Sequence, residues 1–171
     1  MRSLLMAAYE FDVIGVPTPQ GSKQAFVRGG RAVVVDAGSQ TSRNKHAQWR
    51  AAVAQRAQEA RNGALPLSGP VAVEMRFWMP LVKSDPHRSR HTTTPDLDKL
   101  IRAVLDSLTN SAIIADDSLV YSVDASKFYA RNGHFTGVSV VILDMSGPED
   151  SQREHSKLKA SAAKRASKLA G

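Results

Sequence analysis

Apolar residues fall into two rhythms along the chain. Ala8, Tyr9, Phe11, Val13 and Ile14, interleaved with Glu10 and Asp12, predict a first strand over residues 8–16. Phe26, Val27 and residues 32–35 flank Arg28, Gly29, Gly30 and Arg31, a hairpin signal with basic residues at its turn. Over residues 41–61 the period becomes helical. Trp49, Val53, Ala57 and Ala60 form one face, Ser39, Thr41 and Ser42 offer caps, and Asn62 and Gly63 end the helix. Val71, Val73, Met75, Phe77 and Met79 then alternate with less apolar neighbours, a strand that Pro80 stops. Leu97, Leu100, Ile101, Val104, Leu105 and Leu108 make the stripe of a half-buried helix beginning after Pro95 and Asp96. Leu119, Tyr121, Val123 and Ala125 predict another strand, and residues 135–143 the last. The order β, β-hairpin, α, β, α, β, β predicts an α/β domain: a mixed sheet of about five strands with two main helices packed on it.

The pattern changes at Ser146. Residues 147–171 hold six Lys/Arg against three Asp/Glu and few large apolar residues. Residues 1–145 are therefore read as the folded domain, and residues 146–171 as a basic tail, helical or disordered.

Composition narrows the partners. A net charge of +7 and a pI near 10.0 point to a polyanion, most simply nucleic acid. With no cysteine there is no disulfide, thiolate ligand or cysteine nucleophile, which suits a reducing cytoplasm. No apolar run reaches the ~18 residues of a membrane helix.

The chemistry concentrates in residues 95–117. Asp96 and Asp98 stand at the start of the second helix. Asp98, Arg102 and Asp106 follow one another along one flank, with Lys99 on the other. Asp116 and Asp117 come soon after. A following strand packed beside the helix start would bring three or four carboxylates together with the guanidinium at their edge. That oxygen-only set suits Mg²⁺ or Mn²⁺. The same residues also fit an N-cap, a turn and an i,i+4 salt bridge from Arg102 to Asp98 or Asp106. Alternation puts Lys127 on the face of Asp117. His87 and His91 have the i,i+4 spacing of a zinc pair, but they lie in a polar loop, where contact with a nucleic-acid backbone or mobility until substrate arrives is the preferred reading.

Asp96-Leu97-Asp98, then Arg102, Asp106 and Leu108, and the Asp116-Asp117 pair resemble the core motif of the RusA-type Holliday-junction resolvases, metal-dependent endonucleases of bacteria and phages. The likeness runs over roughly residues 10–145, and the chain looks like a phage-type member. It departs from the motif in two places. Lys99 stands where the family has asparagine, and Arg102 where it has lysine, which keeps the charge but changes the donor geometry.

The resemblance implies a Mg²⁺-dependent (Mn²⁺ as substitute), structure-selective endodeoxyribonuclease. It would be a homodimer acting on four-way DNA junctions in recombination and repair, in the cytoplasm of a bacterium or phage-infected host. By the same likeness Asp96, Asp98 and Asp117 are ligand candidates, with Asp116 an outer or secondary ligand. Arg102 and Lys127 are the candidate catalytic cations. Lys23, in a Pro-x-Pro-x-Gly loop similar to the family's amino-terminal loop, is a DNA contact together with Arg28, Arg31, Arg88, Arg90 and Lys99. Two other readings stay open: a metal-dependent nuclease of other branched or duplex DNA, and a non-catalytic nucleic-acid-binding protein.

Overall fold

A computed structural model describes residues 7–21, 23–28, 31–36, 39–82, 88–131 and 133–147. Six strands and two helices follow in order: β1 (Ala7–Ile14), β2 (Lys23–Arg28), β3 (Arg31–Asp36), α1 (Gln40–Arg61), β4 (Val71–Met79), α2 (Leu97–Asn110), β5 (Val120–Tyr129) and β6 (Gly137–Asp144). The main sheet has the order β1-β6-β4-β5. β6 runs antiparallel to both β1 and β4, whereas β4 and β5 are parallel. Tyr121 is an extra residue in β5 where the register shifts against β4. The expected mixed sheet with two helices is present. It has four strands rather than about five, because β2 and β3 pair with each other as a separate two-stranded ladder. The tail beyond residue 147 lies outside the described residues.

β4 organises the core. Val71, Val73, Met75, Phe77 and Met79 are all at most 3% exposed, while the residues between them are half-buried. Their face meets Trp49, Val53 and Ala57 of α1 and Leu100, Ala103, Val104 and Leu108 of α2. Both helices therefore cover one side of the sheet, with Val138, Val140 and Ile142 of β6 completing the layer. Burying a side chain of this size contributes roughly 1.5–3 kcal/mol. The helix spacing read from the sequence thus marks the buried face directly, and Trp49 is core. On the other side of the sheet Trp78 stacks on His134, with ring centroids 3.9 Å apart and planes 12° from parallel.

The end of α2 is closed by its own polar residues. Ser107 Oγ donates to the Ala103 carbonyl and Ser111 Oγ to the Leu108 carbonyl, each at 2.7 Å, so these buried hydroxyls are satisfied. The chain then returns to the foot of β4: Leu67 N–H donates to Ile113 O at 3.0 Å and Ala115 N–H to Leu67 O at 2.8 Å.

Gly137 sits opposite Ile14 where β6 begins, at φ +156°, and a Cβ there would lie 2.0 Å from the Val13 carbonyl oxygen. Gly137→Ala should therefore part the β1–β6 pair and lower the urea midpoint, with a loss of about 1–3 kcal/mol or more. Gly133→Ala is the control, since nothing stands within 4 Å of its Cβ position. It should show only the backbone cost of its own positive φ.

Candidate active site

The start of α2 is held by the end of β5. Lys127 Nζ donates to the Thr93 carbonyl at 2.8 Å and the Pro95 carbonyl at 2.7 Å. Residues just before them lie along the outer edge of β5: Tyr129 N–H donates to Ser89 O at 2.8 Å and His91 N–H to Lys127 O at 3.2 Å. The described part of this loop is thus bonded to the sheet rather than left for substrate to order. The loop after β1 joins the same place, where Gln20 N–H donates to Lys99 O at 3.1 Å. Between them Val16, Pro17, Thr18, Pro19, Met79, Thr94, Pro95, Asp96 and Lys99 line a shallow depression of about 480 Å³.

Asp96 is the N-cap residue, yet its side chain makes no capping bond. Its carboxylate instead pairs with Lys99 Nζ at 2.9 Å. That hydrogen bond, then the Lys99 charge, holds the Asp96 carboxyl below the usual carboxylate range, and Asp96 raises Lys99 in return. The wheel had put Lys99 on the flank away from Asp98; the structure adds that it reaches back to the N-cap. Asp98 and Arg102 are exposed, and neither has an ion pair among the described residues. Asp106 faces Arg50 of α1 at 4.0 Å, so the i,i+4 alternative for Arg102 is not formed.

Asp116 and Asp117 lie elsewhere. Val120 pairs with Val71, at the end of the sheet where both parallel strands start, whereas Lys127 pairs with Phe77 near the other end. Seven residues of strand separate them, about 23 Å at ~3.3 Å per residue. Asp117 opens the short 3₁₀ turn Asp117–Leu119 just before β5. Within one chain the two acidic pairs are therefore about 20 Å apart, and the expected convergence does not occur. The reason is topological. A helix joining two parallel strands runs back along the sheet, so its first turn and the start of the next strand are at opposite ends. Among the described residues no three imidazole or carboxylate groups are grouped so as to hold a metal ion. The expected shared strand face of Asp117 and Lys127 is not formed, because Asp117 lies in the turn before β5 and the register shifts at Tyr121, so Lys127 and Asp117 do not flank one site in a single chain.

Asp116 Oδ1 accepts from Ser118 N–H at 2.8 Å, and this bonding keeps its carboxyl below the usual range. Asp117 is exposed. Of the DNA-contact candidates, Arg31 and Arg90 are exposed, and Arg88 is exposed with a partner of its own. The side chains of Lys23 and Arg28, like His87, lie outside the described residues.

Spacing reads His91 as one of a loop pair for nucleic-acid contact or mobility rather than for zinc, and does not foresee its burial. His91 is buried, its ring 4.7 Å from that of Tyr129, with Nε2 3.4 Å from Thr93 Oγ1 and no partner for Nδ1 among the described residues. Burial, then the Lys127 charge, pushes its pKa below the ordinary imidazole value of 6.5. Between that lowered value and 6.5 the unfolded chain binds more protons than the folded one. His91 thus adds stability that is complete above 6.5 and is lost as pH falls through the folded value. Thermal stability should drop on acidification below the imidazole range, and His91→Asn should flatten that dependence in melts followed from pH 8 to pH 5.

Comparison with known proteins places this geometry. Residues 15–142 match the family described as Endodeoxyribonuclease RusA. The chain is also similar to YqaN of Bacillus subtilis (strain 168), described as an uncharacterized protein, with 29% identity over 152 residues, covering 82% of this chain and 99% of the relative. The matched stretch takes in the loop after β1, both helices, both acidic pairs and Lys127. The chain belongs to the RusA family of endodeoxyribonucleases.

Proposed function

We propose that the protein is a Mg²⁺-dependent endodeoxyribonuclease that nicks four-way DNA junctions as a homodimer in recombination and repair. The family match carries this reading, together with the exposed Asp96 and Asp98 carboxylates beside Arg102, which has no ion pair among the described residues. Asp96 and Asp98 would be metal ligands at the start of α2, and Asp117, with Asp116 secondary, stands about 20 Å away within one chain and would join them only across the homodimer. The donor set fits in kind: carboxylate oxygens, exposed, with Asp98 in no ion pair among the described residues and Asp96 relieved of capping. Bound Mg²⁺ would supply a water acidified for attack and neutralise phosphate charge. Mn²⁺ would substitute.

The chain's own groups supply the rest. Arg102, one turn beyond Asp98, would stabilise negative charge growing on the scissile phosphate. Lys127 acts as a positioning residue, fixing the 93–95 backbone and through it the start of α2. Lys99 neutralises Asp96 until a cation or DNA replaces it. Arg31, Arg88 and Arg90, with Lys23 and Arg28, would meet the DNA backbone, giving salt-sensitive affinity. Residues 1–145 would form the nuclease domain, and residues 146–171 a basic extension.

The primary test is cleavage of a labelled four-way junction beside a linear duplex of the same sequence, in Mg²⁺, Mn²⁺ or EDTA. Nicking of the junction that EDTA abolishes supports the reading. Equal cutting of linear duplex would make it a less selective nuclease, and binding without cutting would leave only a DNA-binding protein. Asp96→Asn, Asp98→Asn and Asp117→Asn should each lower single-turnover cleavage by at least about 10²-fold with junction binding in Ca²⁺ retained. Arg102→Ala should cost about 10²–10³ in rate and Arg102→Lys far less. A normal rate in Arg102→Ala would remove its catalytic role.

A chain ended after Gly147 keeps the Met145 N–H···O=C Pro70 bond of 2.9 Å. It should fold and cut, losing only affinity that salt also weakens. Insoluble product would make the tail part of the fold.

A further inference from the structure

A second and larger cavity, of about 940 Å³, lies across the loop after β1 from the depression at the start of α2. It is bounded by residues 18–21 of that loop, by residues of α1 between Gln40 and Arg50, and by Asp106 of α2. Thr18 and Pro19 line both hollows, so the loop is a partition between them. The partition is fixed, since Gln20 N–H donates to Lys99 O at 3.1 Å. Along α2, Asp106 comes two turns after Asp98, about 12 Å of helix at 1.5 Å per residue. That is roughly the span of three or four nucleotides in a stacked strand, at ~3.4 Å each.

The lining changes in character with exposure. Arg43 and Lys45 are exposed, and neither has an ion pair among the described residues. The first turn of α1 carries no acidic residue to offset them. Gln20, Arg50 and Asp106 are half-buried. Gln20 Oε1 and Arg50 Nε are shielded from solvent and find no hydrogen-bond partner among the described residues. Asp106 comes no nearer to Arg50 than 4.0 Å, too long for a hydrogen bond. Buried polar atoms are almost always partnered, so those left open on a cavity wall point to what the cavity takes up.

We infer that this cavity takes up one unpaired nucleotide of the DNA, its phosphate at Arg43 and Lys45 and its base against Gln20, Arg50 and Asp106. That the nucleotide belongs to DNA under cleavage rests on the nuclease reading. Chemistry separates base from phosphate here. A phosphodiester only accepts hydrogen bonds, which suits the three cations but leaves Gln20 Oε1 unsatisfied and is repelled by the Asp106 carboxylate. A nucleobase edge presents N–H donors beside its acceptors. It can therefore accept from Arg50 Nε and donate to Gln20 or Asp106. A paired base has that edge occupied, whereas a nucleotide freed at a branch point leaves the stack at the least cost. The scissile phosphate then lies at the start of α2 on one side of Thr18 and Pro19, and an unpaired neighbour on the other. Branched DNA supplies such a neighbour and continuous duplex does not.

Binding in Ca²⁺, without cleavage, reads the cavity directly. The probes are a duplex with one bulged nucleotide, the same duplex with an abasic residue in the bulge, and the flush duplex. Wild-type protein should bind the base-bearing bulge about tenfold tighter than the abasic one, the scale of one or two net hydrogen bonds. Gln20→Met and Arg50→Met should each remove most of that preference, which as a ratio cancels any general effect of the lost Arg50 charge. Arg43→Gln and Lys45→Gln should instead weaken all three probes alike and lower the salt slope by about one each. Equal wild-type affinity for the two bulges overturns the nucleotide site and leaves a water-filled cavity. A full preference in Gln20→Met and Arg50→Met proteins that melt like the wild type overturns the placement of the base.

Cleavage then tests what the cavity does for selectivity. At subsaturating protein, Gln20→Met should slow single-turnover nicking of the four-way junction about tenfold and leave cutting of linear duplex as it was. An unchanged junction rate overturns the selectivity role. Failure of the cavity and failure of the nuclease reading are distinguishable. A protein that nicks junctions but binds both bulges equally keeps its activity and loses the nucleotide site. A protein that cuts nothing yet prefers the base-bearing bulge keeps the site and loses the nuclease reading.

Discussion

Two parallel strands begin at the same end of a sheet, so the chain between β4 and β5 has to travel the sheet's full length to return. Here the return includes the fourteen residues of α2, about 21 Å of helix at 1.5 Å per residue. Everything concerning the site follows from that crossing. It fixes Asp96 and Asp98 at the end where β4 and β5 finish. It leaves Asp116 and Asp117 at the end where they begin. β5 lies at the margin of the sheet, with α2 packed on one face and, among the described residues, 89–91 along part of its outer edge.

The local electrostatics near the α2 start suit a site that receives a cation rather than a finished ion pair. A carboxylate at an N-cap ordinarily spends its oxygens on helix N–H groups and gains from the macrodipole. Asp96 gives one to Lys99 instead, in an exposed pair that contributes little stability. Asp98 and Arg102 are not paired with each other, although one turn of helix would permit it. Lys127 is the fixed charge: it holds two carbonyls, and burial of its neighbour His91 as a neutral ring avoids a second positive charge beside it.

The sequence showed the elements clearly because each obeys one period. β4 alternates without a break from Val71 to Met79, and α2 keeps its stripe from Leu97 to Leu108, so their buried faces could be named residue by residue. Spacing also drew attention to both acidic pairs. What spacing could not supply was the direction of β5 relative to β4, which depends on pairing between residues distant in the chain. Nothing in the composition of residues 120–129 distinguishes a parallel neighbour of β4 from an antiparallel one. That single unknown separated a converged cluster from two acidic pairs at opposite ends of the sheet. The Asp96–Lys99 pair was hidden for a smaller reason: a flexible lysine can reach back to the N-cap from a position that the wheel draws on the other flank. His91 gave no signal because its burial comes from the loop closing on β5.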